Sequence, residues 1–362
     1  MKKIVYFLVC LMLCIGIGGG AFILYKNLGF GEKTPTTQGG DATVNDGEGD
    51  TVDFGDPPTS SDNTSDTVTE LTPSDNEVSL VAEGMEMLAG ASVYMGSDET
   101  LDPAIRFTCL VQDTLVEEVG ADSNKSFAIL LAPLDYFEEV NTDSETYVDW
   151  VNAFAAAGKT VVLSVFDDYG TYNDYTSYMR FTLSNVRYSN INRRYVAMGV
   201  LIDKSGDTPV YQYSAMPEGE TYRSNARSVA YVAGAALNAH AIGETSIPET
   251  QRAKLLTYID MAVDQANGLS DYTNNGDMPE VSIANGTSVT MALNSSHIIE
   301  GGVEPLGIDI PARFVSSNES VATVSEYGII YARGYGSATI SLYVAGVQYT
   351  ISVTCSSNVQ LL

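Results

Sequence analysis

Positive charge is scarce in this 362-residue sequence. Lysine and arginine together number 18, against 46 aspartates and glutamates, which gives a net charge of −28. A nucleic-acid surface needs clustered lysine and arginine to neutralise phosphates, and a polybasic membrane-binding surface needs similar clusters. The composition therefore excludes nucleic acid as a partner and predicts a body that anionic surfaces repel.

Residues for common catalytic and metal chemistry are also few. The chain has 2 histidines and 4 cysteines, with no GxSxG, HExxH or CxxC motif. His240 follows a run of small residues, where capping a helix end is a better explanation than catalysis. The sequence therefore predicts no metal site and no cofactor, and it favours a non-catalytic protein over an enzyme.

The cysteines do not form a disulfide framework. Two of them lie in an apolar N-terminal run, where cysteine behaves as a small hydrophobe. Cys109 and Cys355 fall on the apolar sides of two strand patterns in different predicted domains. We expect both to be buried free thiols, with a bridge between the domains as the alternative.

An uncharged apolar run at residues 4–25 is long enough to span a bilayer as a helix. Lys2 and Lys3 precede it and favour a cytoplasmic N-terminus. The alternative is a cleaved signal peptide with its site near Gly19-Gly20-Ala21, although the apolar run continues past that point. We expect residues 1–25 to form a membrane anchor or signal sequence, with the bulk of the chain extracellular in a single-pass arrangement.

Residues 26–76 are rich in glycine, threonine, serine and acidic residues, and poor in aromatic and branched apolar residues. Such a segment buries too little apolar surface to offset its chain entropy, so it predicts a disordered acidic linker. As a random coil, about 50 residues reach roughly 40 Å. The linker would act as a stalk.

The predicted middle domain covers residues 77–270 and is of the α+β class. Strand patterns occur first, and two helical patterns with stripes of apolar residues come last, which argues against a parallel βαβ series. The strands are predicted at 105–111, 126–134, 160–166, 178–186, 195–203 and 209–214, and the helices at about 147–155, 225–240 and from 248 onwards. Residues 270–280 are a hydrophilic joint.

The C-terminal part, residues 279–356, consists of short strands and turns. Between Val347 and Cys355, apolar and polar residues alternate, which predicts a half-buried strand. About 75 residues of this kind suit a small β-sandwich. The predicted fold is thus an α+β domain followed by an all-β sandwich, with one N-terminal transmembrane helix.

Four short motifs follow one another in this C-terminal part: Ser316-Ser317-Asn318, Val321-Ala322-Thr323-Val324, Gly328-Ile329-Ile330-Tyr331-Ala332 and Gly336-Ser337-Ala338-Thr339-Ile340. They resemble the bacterial Ig-like group 2 family, which commonly has tryptophan where Phe314 stands here. The resemblance covers about a fifth of the chain and implies an Ig-like sandwich that serves as a spacer or adhesion module in bacterial surface proteins, without catalysis.

The middle domain resembles an uncharacterised module that accompanies such Ig-like domains in Gram-positive surface proteins. The resemblance implies no activity. It is carried by Gly90-Ala91-Ser92-Val93, Ile105-Arg106-Phe107, Asn192-Arg193-Arg194-Tyr195-Val196-Ala197 and Arg227-Ser228-Val229-Ala230.

A polar, tyrosine-rich stretch after the strand predicted at 160–166 is the candidate binding site. Its carboxylates suit acid–base work on a sugar or the binding of Ca²⁺, and its tyrosines suit stacking on sugar rings. A solvated turn is the simpler explanation of the carboxylates, because Asp, Asn and Gly are ordinary turn residues. The candidate binding residues are Asp167, Asp168, Tyr169, Tyr172 and Tyr175.

Four arginines stand out in so acidic a chain: Arg193, Arg194, Arg223 and Arg227. They are expected to pair with buried carboxylates, with an anionic ligand as the alternative.

Three functions fit these observations. The first is a membrane-tethered, non-catalytic surface protein that binds or presents a cell-wall glycan or a host matrix protein. The second is a cell-wall or polysaccharide hydrolase that uses Asp167, Asp168 or Glu138 as carboxylates. The third is a purely structural spacer. A concave, aromatic-lined surface in the middle domain would favour the first over the third.

The anchor predicts how the chain distributes in a cell. We expect the full-length chain to sediment with membranes and to resist alkaline extraction, because a helix of residues 4–25 is more stable in lipid than in water. Protease added to intact cells should digest everything beyond the anchor, while a cytosolic marker protein survives. Recovery of the intact chain from the soluble cell fraction would contradict the prediction, and a shortened chain in the medium would favour the signal peptide.

Overall fold

A computed structural model describes residues 42–43, 80–93, 103–140, 148–166, 169–173 and 176–357 of the chain. The predicted anchor (1–25) lies outside the described residues, and so does the predicted linker (26–76) apart from residues 42–43. Within the described ranges, none of the helices combines the length and the apolar character that a bilayer-spanning segment needs.

The described chain is mostly β-strand with few helices. Ten strands form one large sheet: β1 (Ala42–Thr43), β2 (Val81–Met87), β3 (Ser92–Val93), β4 (Ile105–Gln112), β5 (Lys125–Pro133), β6 (Val162–Phe166), β7 (Gly170–Asn173), β8 (Thr176–Leu183), β9 (Tyr195–Asp203) and β10 (Val210–Ala215). Nine further strands follow: β11 (Glu280–Ile283), β12 (Ser288–Met291), β13 (Ser296–Ile298), β14 (Gly301–Glu304), β15 (Ala312–Ser316), β16 (Ala322–Val324), β17 (Ile329–Ala332), β18 (Gly336–Val344) and β19 (Val347–Cys355). The helices are α1 (Asp113–Ala121), α2 (Leu134–Val140), α3 (Trp150–Ala156), α4 (Val229–Ala241) and α5 (Glu249–Ala266), with a 3₁₀ turn at Tyr188–Asn190.

The chain divides into two compact units. The sheet unit contains the described residues of Gly29–Tyr94 and Ala104–Arg227, and the C-terminal unit contains those of Ser228–Leu362 together with Pro103. The large sheet, α1, α2 and α3 belong to the sheet unit. Helices α4 and α5 belong to the C-terminal unit, together with strands β11 to β19.

The large sheet is mixed but mostly antiparallel. Its strand order is β1-β8-β4-β2-β10-β9-β5-β6, with β3 paired to β4 and β7 paired to β8. Among the described strand pairs of this sheet, only β1–β8 and β10–β2 are parallel. The strand predictions for this region are confirmed, with shifts of up to three residues at strand ends, and β9 has the predicted bounds 195–203.

Strands β5 and β9 pair along their whole length and are buried on both faces. The even-numbered residues of both strands face a cluster of aromatic rings from α2 and α3. Phe137 lies at the centre of that cluster, with its ring centroid 4.8 Å from Trp150, 4.9 Å from Phe154 and 5.6 Å from Tyr222. Two short helices therefore cover one face of the sheet at its most apolar point.

The start of α3 is fixed to the sheet by Tyr213 of β10. The Tyr213 hydroxyl accepts the Val151 N–H at 3.0 Å and donates to Asp149 Oδ1 at 3.3 Å. Asp149 also caps the helix by accepting the Asn152 N–H at 3.3 Å. These bonds satisfy amide groups that the first turn of a helix otherwise leaves without partners.

The large sheet is strongly curved. Gly170 of β7 pairs with Tyr178 of β8, whereas the preceding residue, Tyr169, packs on Phe127 of β5 at a centroid distance of 5.8 Å. Strands β8 and β5 are five steps apart in the sheet, which is roughly 24 Å in a flat sheet at about 4.8 Å a step. Adjacent residues cannot bridge that gap, so the sheet curls and brings the two strands close together.

The curvature also explains a glycine inside the most buried strand. A Cβ at Gly199 of β9 would lie 2.5 Å from Cys109 Sγ on β4 and 2.8 Å from Met85 Cε on β2. These side chains fill the concave side of the sheet, where any larger residue at 199 would collide with them. Desolvation by burial raises the pKa of the Cys109 thiol to about 12, so this thiol is neutral and unreactive at ordinary pH. Cys109 and Cys355 are both buried and free, as the sequence predicts.

The strands of the C-terminal unit form two facing sheets around one core. One has the order β12-β19-β18-β15, the other the order β13-β17-β16, and β11 pairs with β14. Their shared core consists of Met291, Val321, Ala322, Ile330, Ala332, Ala338, Ile340, Ile351, Val353 and Cys355. This arrangement is a β-sandwich, and the strand predicted from the alternation after Val347 is its β19.

Helix α4 packs on this sandwich through small residues. A Cβ at Gly234 would lie 2.7 Å from Ile310 Cγ2, so the Ile310 side chain packs directly against the helix backbone there. Asn238 donates Nδ2 to the Pro311 carbonyl at 2.9 Å and accepts the Gly346 N–H on Oδ1 at 2.8 Å. The sequence grouped the two late helices with residues 77–270, but in the structure they pack in the C-terminal unit. Of the 13 residues of α4, 10 are buried, so its contact surface is wider than the predicted apolar stripe and its packing partner is not evident from periodicity.

Because the aromatic rings pack on one another, truncating the central ring should strongly destabilise the sheet unit. We expect Phe137→Ala to lower the free energy of unfolding of the sheet unit by about 3–5 kcal/mol, because the cavity removes contacts with three rings. Trp150 is the only tryptophan in the chain and lies in this cluster, so its fluorescence during guanidinium titration reports this unit. The control is Val165→Ala on β6, whose side chain is 57% exposed. That control should cost less than about 1 kcal/mol, and equal costs for both variants would contradict the prediction.

Candidate functional site

The predicted binding stretch lies between β6 and β8. The structure describes two of its five candidate residues, Tyr169 and Tyr172. The other three, Asp167, Asp168 and Tyr175, lie outside the described residues.

The two described tyrosines have different environments. The Tyr169 ring packs edge-on against Phe127, and its hydroxyl donates to the Phe166 carbonyl at 3.3 Å. Tyr172 lies in the exposed part of β7, and 41% of it is accessible to solvent. Tyr169 therefore holds the hairpin to the sheet, whereas Tyr172 presents a ring at the surface.

The β7–β8 hairpin carries a second aromatic ring beside these residues. A Cβ at Gly170 would lie 1.9 Å from Cζ of Tyr178, so the Tyr178 ring lies directly across the glycine. The guanidinium of Arg180 lies 4.0 Å from the centroid of that same ring. Glycine is needed here because the tyrosine ring occupies the space of any side chain. We call Tyr172, Tyr178 and Arg180 the hairpin surface.

Two of the four arginines pair with carboxylates, but the carboxylates are not the buried ones that the sequence predicts, because Asp135 is only partly buried and Glu138 is exposed. Arg193 is buried and donates Nε to Asp135 Oδ1 at 3.0 Å and Nη2 to Asp135 Oδ2 at 2.6 Å. The two parallel bonds match the planar fork of the guanidinium. Arg223 forms a more exposed pair with Glu138, at 3.5 Å from Nε to Oε1.

Arg227 is buried and bonds to backbone carbonyls. Its Nη1 donates to the Ser224 carbonyl at 2.5 Å and to the Ala226 carbonyl at 2.9 Å. Nearby, the Gly90 N–H donates to Asn225 Oδ1 at 2.5 Å, which fixes this turn to the start of the unit. Gly90 and Arg227 belong to two of the motifs in the middle-domain resemblance, and here their hydrogen bonds connect distant parts of the chain.

His240 bonds to the backbone just beyond α4. Its Nδ1 accepts the Ile247 N–H at 3.2 Å and lies 3.3 Å from the Thr245 carbonyl. These contacts are structural, but they tie the ring to the loop after α4 and are not the cap of the helix end that the sequence predicts.

A group of three aspartates, which the sequence analysis did not identify, lies beside the end of α5. Asp260, Asp264 and Asp277 each offer a carboxylate oxygen, and these oxygens all lie within 4.8 Å of one another. Asp260 and Asp264 are buried, and Asp277 is exposed. The sequence treated residues 270–280 as a hydrophilic joint, because Asp, Asn and Gly are typical of turns. The sequence feature that could have indicated the group is the i,i+4 spacing of Asp260 and Asp264, which places both carboxylates on one face of a helix.

The loop after α5 is bonded to these carboxylates. Asp260 Oδ2 accepts the Gly276 N–H at 2.9 Å, and its Oδ1 accepts the Asp277 N–H at 2.6 Å. The Tyr272 hydroxyl donates to Asp260 Oδ2 at 2.9 Å. Desolvation by burial, followed by the hydrogen bond to Asp260, raises the pKa of Tyr272 well above its usual value. Tyr272 therefore stays protonated and acts as a donor.

Comparisons with known proteins give little further guidance. No protein-family model and no curated protein matches the chain. Among solved structures, the chain is similar to a titin segment of three Ig domains, with 6% identity and a TM-score of 0.18, covering 75% of this chain and 64% of that one. It is also similar to the N-terminal four Ig domains of Dscam1, with 6% identity and a TM-score of 0.16, covering 74% of this chain and 53% of that one. Both neighbours are Ig-domain proteins, but scores this low carry no argument about fold or function.

Breaking the largely buried Arg193–Asp135 ion pair should destabilise the sheet unit more than breaking an exposed ion pair. We expect Arg193→Met to lower the free energy of unfolding of the sheet unit by about 2–3 kcal/mol, because Asp135 would keep a partly desolvated charge without its partner. The double variant Arg193→Met/Asp135→Leu should recover part of this loss. The measurement is guanidinium unfolding followed by Trp150 fluorescence.

The matched control is Arg223→Met, which breaks the more exposed pair with Glu138. It should cost less than about 1 kcal/mol. If the double variant proves less stable than Arg193→Met alone, the charge on Asp135 is not the source of the effect.

Proposed function

We propose that this chain is a membrane-tethered, non-catalytic extracellular binding protein, with its ligand site on the hairpin surface. In this proposal residues 4–25 anchor the chain, residues 26–76 act as a stalk, and the sheet unit binds a cell-wall glycan. A host matrix protein is the alternative ligand. The observation that carries the proposal is the exposed ring of Tyr172 on the same β7–β8 hairpin as the stacked pair of Tyr178 and Arg180.

The chemistry of this surface suits a carbohydrate. Tyrosine rings are apolar with a polar tip, and they are common at recognition surfaces because they provide contact area with little loss of conformational entropy. The guanidinium of Arg180 adds a positive charge and several donors next to the Tyr178 ring. The net charge of −28 repels acidic sugars at long range, so a preference for acidic over neutral sugars depends on direct contact with this guanidinium.

Binding is favoured over hydrolysis by what the described polar groups do. Glu138, one of the carboxylates considered for catalysis, pairs with Arg223. The ring of His240 bonds to the backbone. Each of these groups has a structural partner, so the described residues supply no reason to choose an enzyme over a binding protein.

The sandwich of the C-terminal unit supports the family resemblance and the spacer role that it implies. Residues of the resemblance motifs, among them Val321, Ile330 and Ile340, fill the sandwich core. A Cβ at Gly328 would lie 3.1 Å from Phe314 Cζ, so the aromatic residue packs over the glycine corner. We propose that residues 279–356 form a bacterial Ig-like group 2 domain that spaces or presents the binding unit, while the stalk of residues 26–76 separates that unit from the membrane.

The test is a binding assay with the full-length chain in detergent, applied to immobilised peptidoglycan fragments, acidic wall polysaccharides and host matrix proteins. We expect binding to an acidic glycan, and we expect Tyr172→Ala to weaken it about tenfold, which corresponds to about 1.4 kcal/mol of lost ring contact. Arg180→Gln should weaken binding to the acidic glycan and reduce its dependence on salt.

The control variant is Tyr335→Ala, which removes another exposed tyrosine, 62% accessible, from the C-terminal unit. It should bind like the unaltered chain. Binding to matrix proteins alone would replace the glycan as the ligand. No binding above that of an unrelated acidic protein, or equal loss in both tyrosine variants, would refute the proposed site.

A further inference from the structure

We propose that Asp260, Asp264 and Asp277 bind one Ca²⁺ ion, which fixes the loop of residues 271–277 to the end of α5. We call these three residues the aspartate cluster. They lie in the C-terminal unit, and the proposal does not depend on the ligand of the hairpin surface.

The geometry of the cluster is that of a shared cation. Ca²⁺ binds oxygen ligands at about 2.3–2.6 Å, so two ligands of the same ion lie no more than about 5 Å apart. The three carboxylates each place one oxygen within 4.8 Å of the others. Asp260 and Asp264 are one helical turn apart on α5, and Asp277 is brought to them by its own backbone bond to Asp260.

A buried oxygen without a partner is the independent observation that points to a ligand. Asp264 is fully buried, and its Oδ2 accepts both the Thr273 N–H at 3.0 Å and the Thr273 hydroxyl at 2.7 Å. Its Oδ1 has no hydrogen-bond partner among the described residues. A buried carboxylate oxygen without a donor is costly, because it has lost water and gained nothing in exchange. A cation coordinated to Oδ1 removes that cost.

The charges around the cluster also favour a cation. Asp260 and Asp264 are 2% and 0% exposed and lie close together, and no lysine or arginine of the described chain forms a salt bridge with either of them. They lie in the last two turns of α5, where the helix dipole disfavours negative charge, and the last turn contains no basic residue. The amide donors of Gly276 and Asp277 compensate Asp260 but not Asp264.

The donor set selects the type of ion. All three ligands are carboxylates, and the described residues place no histidine or cysteine in the cluster, which favours a hard cation over zinc or copper. Mg²⁺ demands shorter distances of about 2.0–2.1 Å and strict octahedral geometry, whereas Ca²⁺ accepts a wider and more flexible site. Exposed Asp277 leaves one side of the site open to water molecules, which would complete the coordination.

Calcium binding can be measured directly by isothermal titration calorimetry of the full-length chain in detergent after treatment with EGTA. We expect one saturable site with a Kd on the order of 10⁻⁴–10⁻³ M, as in extracellular calcium modules. Addition of 10 mM Ca²⁺ should raise the thermal midpoint of the C-terminal unit by roughly 3–8 °C, and Mg²⁺ at the same concentration should raise it less.

Two variants test the ligands. Asp277→Asn changes an exposed residue and should weaken Ca²⁺ binding roughly tenfold or more, since the site loses one of its three charges. Asp264→Asn should abolish the saturable binding. If Asp264→Asn fails to fold, Asp277→Asn still decides the question, because its backbone bond to Asp260 does not involve the altered group.

The matched control is Glu319→Gln, which removes one exposed negative charge outside the cluster. It should bind Ca²⁺ like the unaltered chain. Absence of saturable binding in the unaltered chain, unchanged binding in both cluster variants, or equal weakening by Glu319→Gln would overturn the proposal. The last result would show diffuse attraction to an acidic protein in place of a site. The assay contains no glycan, so its failure is distinct from failure of the proposed function.

Discussion

The pairing of β5 with β9 is the constraint around which the sheet unit is built. Both strands are apolar on both faces, so each face needs its own cover. On one face, α2 and α3 supply the aromatic cluster around Phe137. On the other face the sheet covers itself by curling, so that Cys109 and Met85 pack against Gly199. The curl also determines where the β7–β8 hairpin lies, because Tyr169 must reach Phe127 while the next residue pairs with β8.

Buried charged side chains are compensated differently in the two units. In the sheet unit, the buried guanidinium of Arg193 meets a carboxylate in two parallel hydrogen bonds, which is the geometry that best offsets desolvation. At the end of α5, two buried carboxylates meet backbone amides and hydroxyls but no positive side chain among the described residues. Hydrogen bonds compensate Asp260 well, while one oxygen of Asp264 is left over. This difference is why a cation site is inferred at the second place and not at the first.

The sequence predicts the elements whose burial follows a simple period. Strand β19 alternates between core and solvent, and β9 is a continuous apolar run, so both were predictable from local pattern. Helix α1 was missed because Val119 is its only buried residue, and too weak a pattern remains to indicate a helix. The stretch around Tyr172 was identified from its composition. That Tyr169 packs on the sheet while Tyr172 is exposed depends on the curl of the sheet, which composition does not indicate. The aspartate cluster depends on the loop folding back to α5, and such long-range closure leaves no periodic signal.

The acidic composition and the aspartate cluster have different physical meanings. A net charge of −28 attracts counterions diffusely, and salt screens that attraction over about 10 Å. A specific site requires oxygens that have already lost their water and that are held at the distances an ion accepts. Burial of Asp260 and Asp264 meets the first requirement, and the oxygen distances within 4.8 Å meet the second. A site with a Kd near millimolar is filled only where Ca²⁺ is abundant, which is the situation outside a cell and not in the cytosol. The proposed calcium site therefore requires the proposed extracellular position of the C-terminal unit, because such a weak site would order the loop after α5 only on the outer side of the membrane.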